Sequence, residues 1–162
     1  MNKIGQCRVF ADNYQFFVLD SIADPHANMP QWTDETVAQG FITNGNVLHI
    51  STRSHLNDHW IELWSSDSPP DPSDFDRTFE TDLVLLSGRI SIMGPVDEPD
   101  DVYHVEVPAG AYAVHVLTNN LGVDQFSTDE INKPDDRYMT DQEIQSRTDL
   151  GWYKLVLVPR ST

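Results

Sequence analysis

Basic residues are scarce in this sequence, and their scarcity limits what the protein can bind. The 162 residues include 10 Lys and Arg against 26 Asp and Glu, so the formal net charge is −16 at pH 7. Such a charge repels phosphate backbones and anionic lipid headgroups, which argues against direct nucleic-acid binding. The charge favours cationic partners, namely basic proteins, metal ions or basic substrates. A simpler interpretation is that it only keeps the protein soluble.

Cysteine and long apolar runs are also scarce. Cys7 is the only cysteine, so an internal disulfide is excluded and a reducing compartment is the simpler expectation. No apolar run approaches the ~20 residues of a membrane span. Residues 1–10 contain no apolar segment typical of a signal peptide. We therefore expect a cytoplasmic protein that does not insert into a membrane.

Motifs for nucleophilic and phosphate chemistry are missing too. The sequence contains no Gly-x-Ser-x-Gly elbow, no Cys-x-x-Cys pair and no glycine-rich phosphate loop. We therefore expect no cofactor, and a binding protein rather than an enzyme.

What the sequence does contain is alternation of apolar and polar residues with a period of two. This pattern is typical of half-buried β-strands. The segments that show it, or that form short apolar runs of strand length, are 14–19, 41–43, 47–52, 59–64, 77–86, 90–93, 102–107, 111–118 and 152–158. The length fits one domain. The sequence therefore predicts a single mainly all-β domain over residues 1–162, an antiparallel β-sandwich of two sheets with two short helices.

Turn and cap signals place the connections. Asn44-Gly45-Asn46 predicts a hairpin, and Ser87-Gly88-Arg89 predicts a second one between 77–86 and 90–93. Pro108-Ala109-Gly110 predicts a turn. The two helices are expected at 34–39, with Thr33 as N-cap and Gly40 as stop, and at 141–148.

Acidic side chains outnumber every other candidate for function. Paired carboxylates can catalyse glycoside hydrolysis, but only when held close together with a shifted pKa, which solvated loops do not supply. The spacing also differs from that of an EF-hand. Solvated loop surface is the simpler interpretation, and partner binding is the functional one. The candidate partner-binding acids are Asp34, Glu35, Asp71, Asp74, Asp76, Glu80, Asp82, Asp97, Glu98, Asp100 and Asp101.

Two further sets of residues are candidates. Trp60, Glu62 and Trp64 share one face of a predicted strand, whereas Ile61 and Leu63 are expected to face the core. The tryptophans are therefore candidates for an interface. His55 and His59 have an H-x3-H spacing that could bring two imidazoles together, but no third metal ligand is fixed. We predict no metal site, and keep this pair as a weak candidate.

An ordered set of motifs between Tyr14 and Thr118 resembles the competence protein J family. These motifs are Gln15-Phe16-Phe17-Val18, Trp32-Thr33-Asp34-Glu35, Gly40-Phe41, Asn44-Gly45 and Val107-Pro108-Ala109-Gly110-Ala111-Tyr112. The family comprises small acidic bacterial proteins that inhibit a nuclease acting on DNA entering the cell. The resemblance implies a nuclease inhibitor.

Physical reasoning agrees with this implication, because a carboxylate-rich rigid domain can occupy a cationic cleft built for phosphates. We therefore expect an inhibitor whose partner is a basic protein such as this nuclease, with an undetermined oligomeric state. One alternative is a small-molecule or carbohydrate binding β domain, or enzyme, with a cleft lined by Trp60, Trp64 and acids. A toxin immunity protein is another.

Overall fold

The structure, a computed structural model, describes residues 1–11, 13–52, 57–97, 102–119 and 152–161. Within these ranges the chain forms one helix, α1 at Asp34–Gln39, and ten strands. The strands are β1 Asn2–Ala11, β2 Gln15–Asp20, β3 Phe41–Thr43, β4 Val47–Ser51, β5 Asn57–Ser65, β6 Arg77–Leu85, β7 Arg89–Met93, β8 Tyr103–Glu106, β9 Gly110–Asn119 and β10 Trp152–Pro159. In the described part of the chain, no helix is long and apolar enough to cross a membrane.

The strands form two sheets of five. Sheet I has the order β1-β5-β10-β9-β6, and sheet II has the order β3-β4-β2-β7-β8. The pairing is antiparallel except that β10 runs parallel to β5, while remaining antiparallel to β9. The prediction of a mostly β protein with two mainly antiparallel sheets is confirmed.

The inner faces of the two sheets enclose the hydrophobic core. Ile61 and Leu63 on β5 are fully buried there, as the alternation predicts. Tyr153 on β10 lies edge-to-face on Phe16 of β2, with ring centroids 5.0 Å apart. Because each large buried side chain contributes roughly 1.5–3 kcal/mol, contacts of this kind hold sheet I on sheet II.

The hairpin predicted around Asn44-Gly45-Asn46 is confirmed. It joins β3 to β4, and Gly45 has a φ of 99°, a value that side chains disfavour. The Asn44 Oδ1 atom accepts hydrogen bonds from the backbone N–H groups of Asn46 and Val47 at 3.0 and 2.9 Å. The asparagine side chain thus replaces backbone partners within the turn.

The hairpin predicted around Ser87-Gly88-Arg89 is wrong. β6 pairs with β9 in sheet I, whereas β7 pairs with β2 and β8 in sheet II, so this turn carries the chain between the sheets. The buried carboxylate of Asp20 explains the crossover. It accepts a hydrogen bond from the Leu86 backbone N–H at 2.7 Å, and others from the backbone N–H and hydroxyl of Ser87. Local turn signals do not encode this distant acceptor.

The start of the chain also differs from expectation. The apolar pattern predicts the first strand at 14–19, but β1 precedes it and pairs with β5. Cys7 therefore lies within a strand, and not before the first one. Burial, with a smaller contribution from the charge of Asp97, raises the pKa of the Cys7 thiol to about 12. Because the thiolate is the reactive form, this thiol is unreactive at neutral pH.

The helix α1 has the predicted bounds. Thr33 caps it by accepting a hydrogen bond from the Thr36 backbone N–H at 3.1 Å, and the Thr33 backbone N–H donates in return to the Thr36 hydroxyl at 2.8 Å. Gly40 ends the helix in the left-handed region, with φ 105°. The second predicted helix, at 141–148, lies outside the described residues.

Removing this cap should cost a measurable amount of stability. Thr33→Ala is expected to lower the free energy of unfolding by about 1 kcal/mol, because the first turn loses a side-chain acceptor. Thr33→Ser is the matched control, since it keeps the hydroxyl. Urea denaturation of the two variants and the unchanged protein measures the difference. Equal midpoints for the alanine and serine variants would show that the cap contributes nothing.

Candidate functional site

The sandwich has two long edges, and they differ. At one edge β1 of sheet I meets β8 of sheet II, where the Gln6 backbone N–H donates to the Tyr103 hydroxyl at 3.0 Å. At the other edge β6 meets β3, and the rings of Phe41 and Phe79 stack with centroids 4.6 Å apart. Five strands spaced about 4.8 Å apart separate the two edges by roughly 20 Å.

The β6 side of the sandwich carries most of the predicted acids. We call the surface formed by the loop 66–76, strand β6 and helix α1 the acidic edge. It bears eight carboxylates and two arginines, Arg77 and Arg160. Arg160 follows β10 in the chain, but it is counted here because its side chain lies against β6. The eight acids are Asp34, Glu35, Asp67, Asp71, Asp74, Asp76, Glu80 and Asp82.

On β6 itself two of these acids are paired. Arg160 lies across Glu80 and Asp82, with Nη2 2.9 Å from Glu80 Oε1 and 2.8 Å from Asp82 Oδ1. The hydrogen bond to Asp82, followed by contributions from Glu80, raises the pKa of the Arg160 guanidinium. His115 Nδ1 on β9 lies 3.9 Å from Glu80 Oε2. Glu80 and Asp82 thus present less net charge than the sequence implies.

The loop 66–76 is exposed but anchored to sheet I. Phe75 packs against an apolar cluster on the outer face of the sheet, which includes Leu117 and Val156. At its end, the Asp76 backbone N–H donates to the Thr118 carbonyl at 2.9 Å. At its start, the Ser66 backbone N–H donates to the Leu157 carbonyl at 3.0 Å. These contacts reduce the entropy that the loop would lose on binding.

Within this loop all four acids, Asp67, Asp71, Asp74 and Asp76, are exposed. The Ser73 backbone N–H donates to Asp71 Oδ1 at 3.0 Å, and this bond lowers the pKa of the Asp71 carboxyl. The carboxylate therefore remains charged at neutral pH. The loop has the properties expected of a preformed anionic contact.

Helix α1 adds Asp34, Glu35 and a groove to the same edge. Both carboxylates lie exposed in the first turn. Beside the helix is a groove of about 760 Å³, lined partly by Tyr14, Trp32 and Val37. The Trp32 Nε1–H donates to Gln15 Oε1 at 3.1 Å, which orients the half-buried ring against β2.

Asp97 belongs to the opposite side of the molecule. Its Oδ2 atom accepts a hydrogen bond from the Gly94 backbone N–H at 2.7 Å, so this carboxylate holds a turn after β7. Its charge acts on Cys7 of β1, which places it near the β1 edge. Glu98, Asp100 and Asp101 lie outside the described residues. The acids predicted as one binding set are therefore divided between two edges.

Trp60 and Trp64 lie, half-buried, on the outer face of sheet I with Glu62, as the alternation predicts. The Trp64 Nε1–H donates to Glu62 Oε1 at 3.0 Å, and Lys154 Nζ lies 4.4 Å from the centroid of the Trp64 ring. Lys3 Nζ is 3.2 Å from Glu62 Oε2. This face thus has paired charges around its aromatic rings. It adjoins the acidic edge, because Trp64 and Phe75 of the loop 66–76 pack against the same apolar cluster.

The histidine pair does not gain support from the structure. His59 is only 1% exposed, and its ring lies edge-to-face against Tyr153 with centroids 5.7 Å apart. His59 is therefore a core residue, while His55 lies outside the described residues. In the described part of the chain, no group of three or more potential ligands is arranged to hold a metal ion.

Sequence reasoning missed two residues of the acidic edge. Arg160 neutralises acids that lie some eighty residues earlier in the chain, and only the pairing of β10, β9 and β6 brings them together. Phe75 has the sequence surroundings of a polar loop, although a lone aromatic residue between Pro72 and Asp76 is a signal for an anchor.

The fold and the acidic edge define a class of protein, namely a sandwich of two five-stranded, mainly antiparallel sheets with carboxylates concentrated at one edge. The family model for competence protein J (ComJ) matches residues 8–137, and this protein belongs to the ComJ family. No curated protein sequence matches the chain significantly.

Two solved structures share the fold. The crystal structure of ComJ from Bacillus subtilis, described as an inhibitor of the DNA degrading activity of NucA, matches with a TM-score of 0.64 and 14% identity. That match covers 98% of this chain and 97% of the other. A protein described as crocagin biosynthetic gene J matches with a TM-score of 0.57 and 18% identity, covering 96% of each chain. At these identities the two matches concern the fold.

Proposed function

We propose that this protein inhibits a DNA-degrading nuclease, and that its acidic edge docks on a cationic surface of that enzyme. Membership of the ComJ family carries the proposal, since ComJ of Bacillus subtilis is described as an inhibitor of NucA. The net charge of −16 supports a cationic partner. The chain acts by binding and needs no catalytic group of its own.

The chemistry of the partner explains why carboxylates suit this role. A nuclease that binds DNA offers cationic groups to phosphates. Carboxylates held in a fixed arrangement can form charge-assisted hydrogen bonds with the same groups. Asp71 and Asp74 are the principal contacts in this proposal, because they lie between the two anchored ends of the loop and Arg160 already neutralises part of the charge of Glu80 and Asp82.

Neutralising the loop acids tests the proposal. Asp71→Asn with Asp74→Asn should slow association with a purified DNA-degrading nuclease of the same cell by on the order of tenfold at low salt, because steering depends on charge. Asparagine keeps the acceptor for the Ser73 N–H, so the melting temperature should hardly change. The measurement is the rate of association, followed alongside inhibition of DNA cleavage.

The matched control removes the same charge elsewhere. Asp24→Asn with Glu106→Gln changes two exposed acids, in the loop after β2 and on β8, outside the acidic edge. This control should associate nearly as fast as the unchanged protein. In the unchanged protein, association should also slow as salt rises, since the Debye length falls from about 10 Å at 0.1 M to about 3 Å at 1 M.

Three results would count against the proposal. Equal slowing in both double variants would remove the acidic edge from the interface. An association rate that does not respond to salt would reject electrostatic steering. No inhibition at low salt by the unchanged protein would reject nuclease inhibition itself.

A further inference from the structure

Strand β6 has a backbone edge that points away from sheet I. The Val84 N–H shows the direction, because it donates out of the sheet to the Gly45 carbonyl at 2.8 Å. Val84 is paired with Ala111 of β9, whose carbonyl faces the other way and accepts from the Arg160 N–H. Backbone groups of an antiparallel strand alternate in direction from one residue to the next. The N–H and C=O groups of Thr78, Glu80 and Asp82 therefore point outward with those of Val84.

The open part of this edge is short and well defined. At the end near Val84, the edge is closed by Gly45 and by Asn46, whose Nδ2 atom donates to the Val84 carbonyl at 3.2 Å. Between Thr78 and Asp82, no backbone hydrogen bond comes from outside sheet I among the described residues. Glu80 and Asp82 also have exposed side chains. This stretch is long enough to pair with one short added strand.

We propose that an extended, cationic segment of the nuclease adds to sheet I as a strand along residues 78–82 of β6. The inference rests on the proposed nuclease partner and specifies how that partner is held. Backbone hydrogen bonds to Thr78, Glu80 and Asp82 supply affinity, while lysine or arginine side chains at alternate positions of the segment face Glu80 and Asp82. Arg160 contacts one oxygen of each carboxylate. The second oxygen of Asp82 is left for the segment, whereas Glu80 Oε2 lies 3.9 Å from His115 Nδ1.

Charge argues against a second copy of this chain as the occupant. Two copies of β6 paired edge to edge would place the outer-face acids Glu80 and Asp82 opposite themselves or each other. Like charges directly opposite one another destabilise a strand pair. A segment with basic residues at those positions reverses the sign of this interaction.

Hydrogen exchange of individual amides tests the added strand without any substitution. In the free protein, the N–H groups of Thr78, Glu80 and Asp82 should exchange rapidly, whereas those of Phe79 and Thr81, which face β9, should exchange slowly. In the complex with the nuclease, the three outward amides should slow by at least about tenfold. Val84 is the internal control, because its N–H is already bonded. Unchanged exchange at all three outward amides in the saturated complex would overturn the inference.

Two variants of Glu80 separate the contribution of its backbone hydrogen bond from that of its side-chain charge. Proline is tolerated on an edge strand where its missing N–H faces away from the sheet. Glu80→Pro should therefore weaken nuclease binding by on the order of tenfold more than Glu80→Gln, which removes the charge alone. Equal weakening in two folded variants contradicts the added strand and leaves nuclease inhibition standing. If Glu80→Pro fails to fold, the exchange measurement decides.

Discussion

Replacing Asp20 by alanine should lower the free energy of unfolding by about 3–5 kcal/mol, because hydrogen bonds to a buried charged acceptor contribute about 1.5–3 kcal/mol each. Asp20 is 1% exposed and accepts from Leu86 and Ser87 at the turn that leaves β6. In a chain of this size the melting temperature should fall on the order of 10 °C. Thermal unfolding followed by circular dichroism measures the change.

Two further variants show which part of Asp20 matters. Asp20→Asn keeps one acceptor oxygen and should lose less stability than Asp20→Ala. Ser87→Ala removes the hydroxyl but leaves the backbone N–H groups bonded to the carboxylate, so its effect should be the smallest. Should Asp20→Ala melt within about 2 °C of the unchanged protein, the carboxylate would not be holding the crossover.

Adding a single methyl group at Gly94 should also destabilise the protein strongly. A Cβ atom at this position would lie under 3.0 Å from the carbonyl oxygen of Phe10, a main-chain atom of β1. Since the obstacle is backbone and not a flexible side chain, β1 must move, and Gly94→Ala should cost about 3 kcal/mol or more. Chemical denaturation measures the loss.

Gly45→Ala is the comparison that isolates this clash. Gly45 has a positive φ of 99°, but apart from its chain neighbours no atom lies within 4 Å of the position that a methyl group would take. Gly45→Ala should therefore lower the free energy of unfolding only by the backbone strain, about 1–2 kcal/mol. A loss for Gly94→Ala no greater than for Gly45→Ala would show that β1 and the turn after β7 separate easily.

Local patterns predict the parts of the fold that depend on neighbouring residues. The alternation on β5 places Ile61 and Leu63 inward, and the Thr33 cap and Gly40 stop give both ends of α1. The turn at 87–89 is mistaken for a hairpin because its local signals are those of any tight turn. What sends the chain across to sheet II is the carboxylate of Asp20, which is distant in sequence.

The sequence identifies candidate acidic residues, but it does not show which of them share one surface. The acids of residues 71–82 and the helix acids Asp34 and Glu35 can be identified from the sequence, and the structure gathers them at the β6 edge. Asp97 joins that set on charge alone, although its carboxylate holds a turn near β1. Sheet order decides which acids share an edge, and that order follows from long-range pairing that no local pattern contains.

The position of β10 has a consequence for how the protein is made. This strand lies in the centre of sheet I, between β5 and β9, and its Trp152 pairs with Trp60. During synthesis, the pair β1–β5 and the pair β6–β9 emerge from the ribosome long before the strand that joins them. Until β10 is available, both pairs have unpaired strand edges, and edges of this kind are prone to mispair. Formation of sheet I should therefore depend on a late, non-local step, and the chain should be most vulnerable to aggregation before β10 has emerged from the ribosome.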